Sequence, residues 1–397
     1  MPTPNPSVSE SDVRSSLRGV IDPELGDNVV DLGMIRQISN DGDGTVTVWV
    51  ALTVATCPLR SQLQRDIVAR TESLPGVTKV NVEMTTMSPE ERSAVMARAR
   101  WKARDTSPDT EIPPNTRVLA IASGKGGVGK SSIAVNLAVA LANRGLTVGL
   151  LDADIAGFSV PHLLGLRSRL QVEGGKMRPL EAAYGKGTLK VVSMGLIEGS
   201  GEDQAVMFRG LMLNRALQHF LEDVRWGPLD YLLIDMPPGT GDVQMGLARM
   251  LPRADMIVIT TPAMAAQQVA ARAIDMARRG FLRVAGVIEN MSAMDVEGNS
   301  LALFGSGGGA RLAESSGVPL LAQVPLDPAI SSGGDTGSPV ASETPTLPAG
   351  RVFARLAADI VENVAPLVQM DGCTSRLLDA LNRGQNGPLP QTARVDE

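Results

Sequence analysis

Eight residues in the middle of the chain carry the densest chemical signal. Positions 124–131 read Gly-Lys-Gly-Gly-Val-Gly-Lys-Ser, a G-x-x-x-x-G-K-S loop that follows an apolar run and opens a helical pattern ended by Arg144-Gly145. Glycines let such a loop wrap closely enough for backbone N–H groups to hold phosphate oxygens, and the helix N-terminus behind it adds positive potential. Gly124, Gly126, Gly127, Val128 and Gly129 then supply the cradle, Lys130 binds the β- and γ-phosphates, and the Ser131 hydroxyl ligates Mg2+. Lys125 is a second cation that holding phosphates from the same side does not require. It is a candidate to act in trans, neutralising charge on the phosphates of a second chain as an arginine finger does.

Two acidic clusters complete this chemistry. Leu-Leu-Asp-Ala-Asp at 150–154 and Leu-Leu-Ile-Asp-Met-Pro-Pro-Gly-Thr-Gly-Asp at 232–242 each end an apolar run. Both therefore place carboxylates at the edge where ligands bind in open parallel sheets. Asp235 is expected to hold Mg2+ through water, Asp152 to support the same site, and Asp154 to orient an attacking water.

The elements that must position these groups follow from periodicity. From Arg117 onward, short apolar runs at 118–122, 147–151, 189–193, 231–234, 256–260, 284–288 and 320–324 alternate with helical stretches. Strands apolar on both faces belong to a mainly parallel sheet covered by helices, an α/β architecture. Ahead of it, residues 9–104 read as a smaller α-β-β-α-β-α domain, with Val46, Val48, Val50, Leu52 and Val54 alternating along one strand. Residues 105–116, with three prolines and Ile112 as the single aliphatic residue, have the composition of a linker. The larger domain spans 117–370, and 371–397 is a polar tail expected to be loose.

Composition narrows the function. With 37 Lys and Arg against 43 Asp and Glu, the chain carries a formal charge of −6, so neither a nucleic-acid partner nor a membrane partner is expected. The sequence contains no apolar run long enough to span a bilayer and no signal-peptide pattern at its start, which places it in the cytoplasm as an expectation. Two cysteines and two histidines leave little soft metal-ligand capacity, so metal chemistry must be spare or shared between chains.

Taken together, these motifs resemble the deviant Walker A ATPases of the MinD class, and most closely the Mrp (ApbC) iron-sulfur cluster carriers. The resemblance runs through KGGVGKSS at 125–132, LDADIAGFSVPHLLG at 151–165, FRGLMLNRALQHFL at 208–221 and DYLLIDMPPGTGD at 230–242. It continues through TTP at 260–262, ENMS at 289–292, FGSGGG at 304–309 and QVPLDP at 323–328. The first domain is similar to the PaaD-type assembly domain through Asp22-Pro23-Glu24, Asp31-Leu32-Gly33 and Thr56-Cys57-Pro58. The resemblance implies a P-loop NTPase fold and a homodimer with ATP at the interface. It also implies iron-sulfur clusters passed to apoproteins in company with cluster-assembly factors. ATP would be held by residues 124–132, Ser132 included, with Asn290 reading the adenine and Lys125 acting across the dimer.

One departure matters. Family members commonly carry a C-x-x-C between the Asn-Met-Ser and Phe-Gly segments, and here residues 293–303 contain neither cysteine nor histidine. Asp295 and Glu297 in that stretch are hard oxygen donors, poorly matched to a cluster. Cys57 precedes a helix whose first position is Pro58, where a thiolate is favoured, making it the candidate cluster ligand. Three readings stay open at this point: a cluster carrier, a scaffold that recruits cluster proteins without holding a cluster, and a MinD- or ParA-like positioning ATPase.

Overall fold

The computed structural model describes residues 8–22, 27–53, 60–88, 90–92, 95, 110–155, 157–197, 210–239, 246–247, 250–280, 282–296, 299–342 and 347–367. The first domain contains α1 (Glu10–Leu17), β1 (Ile35–Asn40), β2 (Thr45–Leu52), α2 (Arg60–Glu72) and β3 (Lys79–Thr86). Strand β2 is central, antiparallel to β1 and parallel to β3. Its alternating valines Val46, Val48 and Val50 are fully buried against Leu17, Leu63 and Ile67, as expected for a sheet with one face packed on helices. Ser9 caps α1 through a reciprocal capping box with Asp12.

The second domain is built on eight strands: β4 (Arg117–Ser123), β5 (Thr147–Asp152), β6 (Leu180–Tyr184), β7 (Gly187–Ser193), β8 (Tyr231–Asp235), β9 (Asp255–Thr260), β10 (Arg283–Ser292) and, after a short hairpin, the outermost strand Leu320–Pro325. Their spatial order is β6-β7-β5-β8-β4-β9-β10, followed by Leu320–Pro325. Seven of the strands are parallel, and each matches one of the seven apolar runs in the sequence. The eighth, β6, is an antiparallel edge whose residues alternate between half-buried and exposed, too weakly patterned to stand out. On one face lies α3 (Lys130–Asn143), buried without a break from Ile133 to Ala142, and on the other lie α5 (Gly210–Glu222) and α6 (Met264–Arg279), α4 being the single turn Val160–Leu163. An uninterrupted apolar helix such as α3 belongs between a sheet and a second helical layer, here Pro348–Asp359, whose Phe353 is fully buried in the same core. Among the described residues no helix is long and apolar enough to cross a membrane.

The segment read as a linker differs from that expectation where it is described. Ile112 and Thr116 are buried. The Glu111 amide donates to the Leu221 carbonyl at 2.7 Å, the Thr116 hydroxyl donates to the Leu229 carbonyl at 3.0 Å, and Arg253 donates to the carbonyls of Ile112 and Pro113. Proline-rich composition signals the absence of helix and strand; it does not signal the absence of packing partners.

The two domains meet at the starting ends of the central strands. Arg70, in the last turn of α2, donates to Asp255 Oδ1 at 2.9 Å and to the carbonyls of Pro252 and Arg253 at 3.1 and 2.6 Å. Arg283 takes the other oxygen of Asp255 at 2.9 Å. Beside them, Arg117 pairs with both oxygens of Asp66 at 3.2 and 3.3 Å and donates to the Pro366 carbonyl. Seven residues of β4 separate this seam from the glycine loop, about 20 Å along a strand.

Candidate functional site

Strands β4, β5 and β8 run side by side and deliver three of the sequence motifs to one edge. Asp235 and Asp152 are paired in register at the ends of β8 and β5, and β4 ends at Ser123, immediately before the glycine loop. The loop wraps because its glycines adopt backbone angles that side chains disfavour: Gly127 and Gly129 have φ of 80° and 79°. A Cβ on Gly124 would lie 2.3 Å from the Val269 backbone, so the loop also packs where no side chain fits. Gly129 caps the start of α3 in the left-handed conformation.

The loop covers a cavity of about 290 Å³ lined by Gly126, Gly127, Lys130, Ser131, Asp154 and Pro238, among others. Beneath it lies a buried charge cluster. The Lys130 ammonium donates to Asp235 Oδ1 and lies 3.3 Å from the Ser131 hydroxyl. Both Asp152 and Asp235 are fully buried. Among the described residues, Asp235 Oδ2 has no hydrogen-bond partner. Burial pushes the Asp152 carboxyl up to about 7, reinforced by the charge of Asp235, against hydrogen bonds from Val160 and Ser193 that pull it down. Burial also raises Asp235, opposed chiefly by Lys130.

The carboxylates divide their work. Asp152 accepts from the backbone amides of Ser159 and Val160 at 3.1 and 3.2 Å and from the Ser193 hydroxyl at 3.1 Å, while its other oxygen accepts from the Asp154 amide. It therefore holds the 154–160 turn in place. Asp154 lines the cavity, and its side chain accepts from the Gly157 amide at 3.2 Å. Lys125 is exposed at the outer lip of the loop, and its carbonyl accepts from the Ser123 hydroxyl. Ser131 and Ser132 both line the cavity.

Asn290, expected to read the adenine, contacts the phosphate loop. It is 5% exposed, and its amide nitrogen donates to the Val128 carbonyl at 2.9 Å, gripping the phosphate loop from behind. Sequence reasoning missed two groups that steady Asp152, the Ser159 amide and the Ser193 hydroxyl. Glu289 stands within the ENMS motif, and its burial follows only from the packing of β10. Cys57 lies outside the described residues, as do Cys373, Asp242 and the 371–397 tail. Among the described residues no group of three or more His, Cys, Asp and Glu is arranged to hold a metal ion. The 293–303 stretch forms a hairpin of Met294–Val296 and Asn299–Leu301.

Comparison with known proteins follows the same division of the chain. The profile of the family described as NUBPL iron-transfer P-loop NTPase matches residues 115–361, and that described as iron-sulfur cluster assembly protein matches residues 10–84. The iron-sulfur cluster carrier protein of Mycobacterium leprae is 42% identical over 363 residues, covering 89% of this chain and 93% of the relative. That of Synechocystis is 40% identical over 359 residues, covering 89% and 97%. A nucleotide-binding protein of Archaeoglobus fulgidus, solved in complex with ADP, is 33% identical with a TM-score of 0.47, covering 56% of this chain and 86% of the other. By the extent of the first match and the near full-length likeness to these relatives, the chain belongs to the family of iron-transfer P-loop NTPases.

Proposed function

We propose that this protein is an ATP-hydrolysing iron-sulfur cluster carrier that works in the cytoplasm as a homodimer and passes clusters to apoproteins. The observation that carries the reading is the incomplete charge cluster under the glycine loop. Lys130 is held on one oxygen of Asp235, while the other oxygen is buried with no partner among the described residues. A buried carboxylate oxygen left unpaired is costly, and a cation arriving with a triphosphate would relieve it. The residues fit Mg2+: Asp235 and the Ser131 hydroxyl are hard oxygen donors under the phosphate cradle. Bound there, Mg2+ would neutralise charge on the phosphates. Lys130 would then turn from Asp235 to the β- and γ-phosphates, residues 124–132 would grip the phosphates, and Asp154 would orient the attacking water. Lys125, exposed at the lip, would reach across to a second chain.

The cargo reading rests on the family and on relatives named as iron-sulfur cluster carriers. Residues 9–104 would act as the assembly domain, with Cys57 as candidate ligand. A second reading, a scaffold that recruits cluster proteins without holding a cluster, is favoured by the cysteine-free hairpin at 294–301. Anaerobic reconstitution with iron and sulfide counts on wild type and Cys57→Ser separates the two. A carrier retains stoichiometric iron and sulfide that Cys57→Ser loses; a scaffold retains none. Calorimetry with ATP and Mg2+ tests the nucleotide site, and absence of heat would end both readings.

A further inference from the structure

Two neighbouring residues of β10 face opposite ways, as strand geometry requires, and each is spent on a different loop. Asn290 donates to the Val128 carbonyl in the phosphate loop. A Cβ on Gly129 would lie 2.3 Å from its amide nitrogen, so loop and side chain are in direct contact. Glu289, fully buried, accepts from the Gly309 amide at 2.5 Å and from Gln323 Nε2 at 2.8 Å. Gly309 lies in the first turn of the helix Gly308–Ser316, whose positive end suits a carboxylate. A Cβ on Gly309 would stand 2.6 Å from the Glu289 Cβ, leaving no slack between them.

Between these two anchors hangs the 294–301 hairpin. It leaves β10 through Met291, which among the described residues is the one non-glycine residue in the left-handed region, with φ of 57°. It returns through Gly305 and Gly307, at φ of 86° and 68°, into the helix that Glu289 holds. Val296, Leu301, Leu303 and Phe304 on and after the hairpin are 41–58% exposed. A fully buried carboxylate whose donors are the neutral amides of Gly309 and Gln323 is an expensive way to hold a helix start. What it gains over an apolar residue is a fixed register between the helix start and the strand that grips the phosphate loop.

We infer that Glu289 is a positioning residue: by fixing the Gly309 amide to the strand whose next residue holds Val128, it ties the base of the hairpin to the phosphate loop. Occupancy of the loop then sets the order of the hairpin. The inference rests on the nucleotide reading above, and one set of samples tests both. Calorimetry measures uptake of ADP and of a non-hydrolysable ATP analogue, each with Mg2+. Hydrogen exchange of residues 294–305 is followed with and without the same nucleotides. Wild type is expected to bind nucleotide and to slow hairpin exchange at least about 5-fold on binding. Glu289→Ala is expected to keep nucleotide affinity within about 3-fold and to lose that slowing. Glu289→Gln, whose side-chain oxygen still accepts from Gly309, is expected to restore most of it. Gln323→Ala, on the exposed outer strand, removes one of the two contacts without emptying the core and is expected to give an intermediate response should Glu289→Ala fail to fold. Nucleotide uptake by wild type with unchanged hairpin exchange, or full slowing in Glu289→Ala or Gln323→Ala, overturns the inference alone. No uptake by wild type overturns the nucleotide reading and the inference together.

Discussion

Two buried charge clusters lie at opposite ends of the same central strands, and they are finished differently. At the seam between the domains, both oxygens of Asp255 receive a guanidinium, from Arg70 and Arg283, and both oxygens of Asp66 face Arg117. At the other end, the Lys130 ammonium donates to Asp235 alone of the two fully buried carboxylates, and among the described residues the second oxygen of Asp235 has no partner. A buried ion group whose partners are in place fixes geometry; one with an unpaired carboxylate oxygen keeps capacity for a ligand, at a cost in stability. Buried atoms without a partner among the described residues also occur at the seam, at Thr71 Oγ1 and Arg253 Nε; what marks the loop site is that its orphan is a carboxylate oxygen beneath a phosphate cradle.

The sharpest way to break the comparison is at Lys130. Lys130→Ala is expected to reduce ATP hydrolysis by about 100- to 1,000-fold, read by phosphate release, because it removes the cation meant for the transferred phosphate. If Lys125 acts across chains as proposed, Lys125→Ala is expected to cut turnover by about 100-fold while leaving nucleotide uptake by calorimetry within a few-fold. Normal turnover in that variant removes the cross-chain role. At the joint, Arg70→Ala leaves part of Asp255 buried without its partner and is expected to cost about 3–5 kcal/mol in urea unfolding. A change below about 1 kcal/mol would show the seam to be incidental.

The smallest effect sharpens the contrast by its sign. Asp235→Asn is expected to stabilise the nucleotide-free protein by about 1 kcal/mol while abolishing Mg2+-dependent hydrolysis, because it relieves repulsion at a site kept incomplete for a ligand. It also predicts a pH effect. The Asp152 carboxyl titrates at about 7 in the folded chain against 3.8 for the free group, so between those values the folded state holds more protons than the unfolded one. The contribution of Asp152 to the stability of the empty protein therefore falls as pH rises through that window, by up to about 1.4 kcal/mol per pH unit, and is constant on either side. Asp235→Asn removes the charge that helps to raise Asp152 and flattens the slope. Thermal melting without nucleotide from about pH 4 to pH 8 measures both.

Much of this is legible in the sequence alone. The seven parallel strands announced themselves because a strand covered on both faces must be apolar throughout, and the phosphate loop because close backbone approach demands glycine at set intervals. The antiparallel edge strand Leu180–Tyr184 was not legible, since an edge open to water on one side carries only a weak alternation. Nor were Pro328–Asp335, a helix containing two adjacent glycines, and the packed course of residues 110–116. Within the site, Lys130, Ser131, Asp152, Asp154 and Asp235 came from local motifs and do converge on one strand edge. The contact of Asn290 with Val128, 162 positions apart in the chain, has no local signature.

The sequence by itself determined the chemistry that a short segment can encode: a backbone able to cradle phosphate, a cation beside it, carboxylates at strand ends, and the lack of thiols in the 294–301 hairpin. Only the tertiary structure decided which charges are satisfied. Arg70 and Lys130 are both basic residues in helices, yet one is saturated by groups more than 180 positions away and the other rests on a carboxylate with an oxygen to spare. Burial and pairing are properties of neighbours in space, and the energy of a charge depends on them far more than on the residues beside it in the chain.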